Sequence, residues 1–306
     1  MPTYAPPATT VDGRKFTVHY LINHPEVLQR VVQTLAAQRM IGSQTLTGRI
    51  DMTGSGAVAF TTGEPIMVDD EPEEIGELGA YPLVDDDEGE LSLAASIKRG
   101  FASLVSDENV SRNRYDVLNK KVRRMVNRII WHHDSLVLSA VGSAVSNTTT
   151  AKGAWAGDNS DPYRDILLAC AEIDSLNEGF TANTVLLTPI KHAILMSRLA
   201  TLFPRALGDS STIENGRQLT VVDGLTILRT TNLPTATDVM VLDRNALGSI
   251  GFERLGGGYL GDPSDPYGVE TKVKRDDDHD GWKIQVRKTG VPIVQEPAAA
   301  RKLVGA

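Results

Sequence analysis

Residues 109–145 read NVSRNRYDVLNKKVRRMVNRIIWHHDSLVLSAVGSAV, with no proline and no glycine before Gly142. Tyr115, Leu118, Val122, Met125, Ile129, Leu136 and Ala140 recur at helical spacing, which predicts one long helix with a single apolar face. Ser106 or Asp107 is placed to cap its start, and Glu108 and Asp116 sit near the positive end of its dipole. Gly142 and the Asn-Thr-Thr-Thr run from Asn147 are placed to end it. At 1.5 Å per residue such a helix reaches roughly 55 Å, longer than most small domains are wide. Its first half is basic, with Arg112, Arg114, Lys120, Lys121, Arg123, Arg124 and Arg128 against the single acid Asp116. A rod with one apolar and one basic face needs a partner along its length.

A candidate partner lies upstream. Residues 64–90 hold twelve acids and no lysine or arginine: Glu64, Asp69, Asp70, Glu71, Glu73, Glu74, Glu77, Asp85, Asp86, Asp87, Glu88 and Glu90. Taken alone, such a run is a solvated acidic loop. Interleaved Pro65, Ile66, Met67, Val68, Pro72, Ile75, Leu78 and Pro82, with strand-like residues 46–60 and 82–93 on either side, suggest instead an extended hairpin resting on another surface. A projecting ribbon without its own core is marginal in water unless it docks. It can meet the helix of its own chain or that of a neighbouring copy, and the second, heterologous contact closes into rings or shells.

Composition narrows the class. The 306 residues are 41% apolar and 23% charged, ordinary for a soluble globular chain, and 5% aromatic, so the core is expected to be aliphatic. The net charge of −8 argues against a protein that coats nucleic acid over its whole surface. A single cysteine, Cys170, excludes an internal disulfide and a multi-cysteine zinc site. No apolar run approaches a membrane span, and the first residues lack a secretion-signal pattern, so a soluble protein made in a reducing cytoplasm is expected.

Taken in order, residues 1–20 are rich in proline and threonine and read as an extended arm. Residues 25–40 form an amphipathic helix with Pro25 in its first turn and Gly42 as its stop. Beyond the long helix, polar residues 147–161 make a crossing. A helix over 162–176 capped by Asp161 follows, then a strand over 183–188 and a helix over 189–199. Strands over 218–222 and 225–229 are joined by the Asp223-Gly224 turn, and a further strand spans 239–242. Residues 161–245 thus alternate helix and strand as a compact α+β unit. The chain then returns as strands over 269–275 and 281–288, with an acidic turn at 276–280 between them.

The order of these elements resembles the major capsid proteins of tailed bacteriophages of the Hong Kong 97 type. The most specific parts are the acidic hairpin followed by the long helix, and the closing Trp282-Lys-Ile-Gln-Val-Arg287 strand with Val291-Pro292 and Pro297-Ala298 after it. The resemblance implies an α+β, Hong Kong 97-like capsid fold. Its parts are an N-terminal arm (1–45), an E-loop hairpin (46–93), a first P-domain part with the spine helix (94–160, helix 106–146), an A-domain (161–245) and a second P-domain part (246–306). It also implies a virion structural protein, made in the host bacterial cytoplasm, that self-assembles as pentamers and hexamers into an icosahedral head around double-stranded DNA bound without sequence preference. Portal, scaffolding and cement or decoration proteins are the further partners, and no membrane or cofactor is expected. In that family the E-loop lies across a neighbour near its spine helix. The expected interface therefore pairs Asp69, Asp70, Glu71, Glu73, Glu74 and Glu77 with Arg112, Arg114, Lys120, Arg123, Arg124 and Arg128. Covalently crosslinked members carry an E-loop lysine. None stands between Arg49 and Lys98 here, so no such crosslink is expected. A scaffold removed by cleavage and a separate scaffolding protein both remain open.

Rival readings are weaker. Within the same fold, an encapsulin-type nanocompartment shell is the alternative. A metal-dependent hydrolase would need His132, His133 and Asp134, or residues 276–280. Adjacent histidines on a helix point about 100° apart and cannot share an ion as an H-E-x-x-H pair does. The acidic run lacks the alternating spacing and distal glutamate of an EF-hand. Gly256-Gly257-Gly258 lacks the Lys-Ser/Thr ending of a phosphate loop, and Cys170 sits mid-helix among apolar residues. No catalytic or metal site is expected, and the chain is not expected to be an enzyme.

Overall fold

The computed structural model describes residues 9–11, 14–16, 18–63, 74–81, 83, 89–157, 160–202, 220–222, 224–234 and 237–306. Four of the expected interface acids, Asp69, Asp70, Glu71 and Glu73, lie outside the described residues.

The arm contains a small antiparallel pair, β1 (Thr9–Val11) and β2 (Arg14–Phe16), and then α1 (Val18–Asn23), so it is not extended over all of residues 1–20. Val18, Leu21 and Ile22 fall on one face of that short helix and are buried, which the proline-rich run before it obscured. α2 (Pro25–Arg39) starts on a proline that needs no intrahelical N–H and buries Leu28, Val32 and Ala36. The single turn α3 (Gly42–Thr45) leads into β3 (Gly48–Asp51), β4 (Ala57–Thr62), β5 (Glu90–Ala95) and the nine-residue β6 (Lys98–Ser106).

The rod itself is corrected in two places. It is split into α4 (Asp107–Ser111) and α5 (Tyr115–Ala144), with Asn113 between them at φ +49°. Asparagine tolerates left-handed backbone better than most residues. Its Oδ1 accepts the Val18 N–H at 2.8 Å, so a residue from the break in the rod satisfies one of the free N–H groups at the start of α1. α5 is thus 30 residues, about 45 Å long. Neither Ser106 nor Arg114 caps through its side chain. Gly142 does not end the helix but lies inside it, where a Cβ would stand 2.3 Å from Pro234 Cγ. Close approach of that loop, not termination, is its role. Gly142→Ala is therefore expected to destabilise the subunit by about 1–3 kcal/mol despite alanine's better helix propensity, read as a lower urea midpoint. A raised midpoint would show that the Pro234 loop yields freely.

The rest of the chain runs β7 (Thr148–Thr150), α6 (Pro162–Asp174), β8 (Thr184–Leu187), α7 (Pro189–Leu202), β9 (Thr220–Val222), β10 (Leu225–Arg229), β11 (Val239–Leu242), β12 (Gly248–Phe252), β13 (Glu270–Asp276), β14 (Gly281–Thr289), β15 (Val291–Val294) and β16 (Ala300–Val304). Asp161 caps α6 as expected, accepting the Arg164 N–H at 3.3 Å. One sheet has the order β7-β16-β11-β8-β10-β9, and three-stranded sheets are formed by β15-β12-β3 and β13-β14-β6. The last strand, β16, therefore sits in the sheet of the 161–245 block, between β7 and β11. Among the described residues β4 and β5 pair only with each other, from Ala57 opposite Ala95 to Thr62 opposite Glu90.

α5 joins two cores. Its first half packs Leu118, Val122, Val126 and Ile129 against α1, α2 and the inner face of β13-β14-β6, where Val105, Ile284 and Val286 lie. Its second half packs Val137, Leu138 and Val141 on Leu186, Met240 and Leu242 of the six-stranded sheet. The alternate residues of the same strands, Val185, Leu187, Val239 and Val241, face α6 and α7 on the other side. Strands covered on both faces read as unbroken apolar runs, and TVLL and VMVL are such runs.

Candidate subunit interface

The six predicted cations share one property. Arg112 and Arg114 flank the break before α5, Lys120, Arg123, Arg124 and Arg128 lie along it, and all six are exposed. Lys120, Arg124 and Arg128 follow one another at four-residue steps, so like charges line one edge of the helix. Such spacing disfavours an isolated helix by a few tenths of a kcal/mol per pair. Among the described residues none of the six is in an ion pair, although ten such pairs occur elsewhere. Lys121 is the exception on this face, donating to the Leu104 carbonyl, and Arg128 stacks over the Trp131 ring at 4.4 Å.

Of the predicted acids, Glu74 and Glu77 are described, and both are exposed, as is everything from Glu74 to Tyr81. The β4–β5 ribbon leaves Leu91 and Leu93 about three-quarters exposed at 73% and 75%. It leans on β15, whereas α5 is packed chiefly by α2, α3, β6, β14 and β15. The described finger thus neither has a core nor lies along its own rod.

The His-His-Asp motif plays a part that the sequence reading missed. His132 is exposed, but His133 and Asp134 are 6% and 4% exposed, in phase with Ile130 and Val137 on the buried stripe. That phase was the available signal. The Asp134 carboxylate accepts the Ile41 N–H at 3.1 Å and the Gly42 N–H at 2.8 Å, clamping the start of α3 to the rod. Burial raises its pKa to about 6, with the Gly42 and Ile41 N–H groups pulling the other way. His133 Nε2 meets Ser43 Oγ at 3.2 Å, and burial, then Lys288 and Arg49, hold its pKa well below the usual histidine value. Lys288, whose Nζ donates to the Gly268 carbonyl at 2.9 Å, is pushed down to about 8 by burial and then by Arg49. These groups tie elements together, and among the described residues they form no cluster that could hold a metal ion.

The other motifs resolve as structure. Residues 276–280 form a turn in which Asp277 pairs with Arg275 and Asp276 with His279, and Arg275 also reaches Asp107 at 2.6 Å. Among the described residues no group of three or more His, Cys, Asp or Glu is placed to hold a metal ion. No helix of the described chain is long and apolar enough to cross a membrane. Cys170 is half-buried on α6, against the core under that helix.

Among the described residues the ribbon has no core of its own, the basic line on α5 has no ion pair and no metal-holding cluster occurs, features that a self-assembling shell protein shares. The sequence profile of the family described as phage capsid protein matches residues 90–303. The chain belongs to that phage capsid protein family, and its α+β fold is that of the Hong Kong 97-like major capsid proteins. The capsid structure of cyanophage P-SCSP1u superposes with a TM-score of 0.58 at 15% identity, covering 100% of this chain and 93% of that one. A structure from Mycobacterium phage Bobi gives 0.57 at 12%, covering 87% and 91%. The encapsulin of Synechococcus elongatus gives 0.53 at 12%, covering 85% of each chain, which shows a shared fold. No curated protein sequence matches. The family match favours the phage capsid over the compartment shell, and the role it carries is structural.

Proposed function

We propose that the chain assembles as pentamers and hexamers into an icosahedral head around double-stranded DNA. The acidic E-loop of each subunit lies on the basic α5 face of the next. Residues 1–45, 46–93, 94–160, 161–245 and 246–306 act as arm, E-loop, first P-domain part with the spine, A-domain and second P-domain part. The acids are Asp69, Asp70, Glu71, Glu73, Glu74 and Glu77, and the cations are Arg112, Arg114, Lys120, Arg123, Arg124 and Arg128. The supporting observation is the exposed line of cations without an ion pair among the described residues, in a chain of net charge −8 with twelve of its 39 acids in residues 64–90. One exposed pair is worth about 0–1 kcal/mol, but a shell repeats it at every subunit and opposite charge also fixes register. Portal, scaffolding and cement or decoration proteins are the other partners. Packaged DNA is touched through phosphates without sequence preference, and the protein is made in the host cytoplasm.

Reversing Arg123, Arg124 and Arg128 to glutamate is expected to abolish closed particles in negative-stain images and in sedimentation. The unfolding midpoint of the subunit should hold, because the change also relieves like-charge crowding on the helix. Particles formed at the native yield would sink the finger-on-rod contact.

A further inference from the structure

A pocket of about 240 Å³ opens between α5 and the β6–β14 strands. It is smaller than the roughly 300–1,000 Å³ of small-molecule sites and has room for a side chain or two. Phe101 and Leu136 give it apolar wall, and Arg99, Arg128, His132 and Lys288 surround that wall with no carboxylate among the lining residues. Lys288 is only 7% exposed, and no acid hydrogen-bonds to it among the described residues. The pocket adjoins the end of the basic line on α5, since Arg128 belongs to both.

The finger carries a matching shape. Gly79 N–H donates to the Gly76 carbonyl at 2.9 Å, closing a tight turn with Glu77 and Leu78 at its tip. Leu78 stands at φ +66° and is 107% exposed. A leucine in left-handed backbone is strained, and this position in a turn is one that glycine or asparagine fills at less cost. No described residue covers this knob, whose carboxylate and apolar side chain are neighbours, as are the cations and apolar wall of the pocket.

We propose that the Glu77-Leu78 turn of one subunit plugs the pocket between α5 and β6 of the next, Leu78 against Phe101 and Leu136, and Glu77 against Arg99, Arg128 and His132. This deepens the finger-on-rod reading and rests on it. A bare phosphate would meet the cations but leave the apolar wall wet, so a second copy of this chain is the better occupant than DNA.

The test places Leu78→Cys and His132→Cys together in a Cys170→Ser background and oxidises assembled particles mildly. Non-reducing denaturing electrophoresis is expected to give a ladder of linked subunits, with each single variant remaining monomeric. Monomer only, from double-variant particles that assemble normally, overturns the proposal. Should that variant not assemble, Leu136→Trp fills the pocket from its own wall. It should lower particle yield at least about tenfold with the subunit still folded, since a buried leucine is worth that much per contact. Native yield from that variant overturns the proposal. Protection of His132→Cys from a thiol reagent only in DNA-filled heads would assign the pocket to DNA and overturn it too. If the charge-reversed helix blocks assembly while the cysteine pair stays unlinked, the pocket fails and the wider contact stands. If the charge-reversed subunit assembles normally, the wider contact itself fails.

Discussion

Arg287→Met is expected to cost the subunit about 3–5 kcal/mol, more than any other single change considered for this chain. Arg287 Nε and Nη2 donate to the two Glu270 oxygens at 2.7 and 3.0 Å across the β13–β14 pair. The two residues are 7% and 4% exposed, so the pair is buried. The guanidinium also lies 3.7 Å from the Tyr259 ring centre and donates to the Gly256 carbonyl at 2.8 Å. Methionine keeps most of the volume and removes every one of these bonds, leaving a buried carboxylate uncompensated. Replacing both residues, Glu270→Met with Arg287→Met, should cost clearly less than Arg287→Met alone, because the stranded charge is then gone as well. Urea unfolding of the two single variants and the double variant measures this. A double variant as unstable as the sum of the singles would mean that the ion pair is not what holds these strands. The consequence for assembly is direct, since β13-β14-β6 is the platform under the first half of α5. If the basic line is the docking face proposed above, a loosened platform should lower the yield of closed particles.

Much of this architecture is legible in the sequence where one element decides its own periodicity. The first half of the apolar stripe of α5, Pro25 opening α2, Asp161 capping α6 and the doubly covered runs TVLL and VMVL all follow from local pattern. In the second half of that stripe the buried residues are Val137, Leu138 and Val141 and not the expected Leu136 and Ala140. What escaped depends on distant partners. Asn113 breaks the rod because its amide caps α1, a helix 95 residues away in sequence. Gly142 looks like a stop and is a clearance for Pro234. β16 was hidden because Arg301 and Lys302 interrupt its apolar alternation; in the fold Arg301 reaches Glu172 of α6 at 2.7 Å, while Ala300 and Leu303 are buried. At the interface, the cations could be placed on an outer face from spacing alone. The pocket could not, because β6 and β14, which bring Phe101 and Lys288 to α5, are far apart in the chain.

Asp134→Asn should change the pH dependence of stability more than its size at any one pH. Asp134 holds Ile41 and Gly42 largely through one oxygen, Oδ1, at 3.1 and 2.8 Å, and asparagine can keep that oxygen in place. The folded-state pKa of about 6 lies above the ordinary value of 3.8, so the native state retains a proton that the unfolded chain has lost between those values. Stability from this group is therefore fully present below pH 3.8 and is lost as pH rises through 6, a fall of about 3 kcal/mol for a shift of two units. Asparagine removes the titration, so the difference in unfolding free energy between variant and native subunit should move in the variant's favour from pH 4 to pH 7. A pH-independent difference would mean that the carboxylate is not desolvated as its 4% exposure implies. Asp134→Ala separates charge from clamp: it removes the same titration but also strands both N–H groups, so it should lie about 1–3 kcal/mol below the asparagine variant at every pH. That clamp matters beyond stability. α3 leads directly into β3 and the root of the β4–β5 finger, so Asp134 ties the segment from which the finger departs to the rod. On the proposed finger-on-rod contact those two parts engage different neighbours, and an alanine variant that folds should then close particles less uniformly than the asparagine variant, as a broader sedimentation boundary.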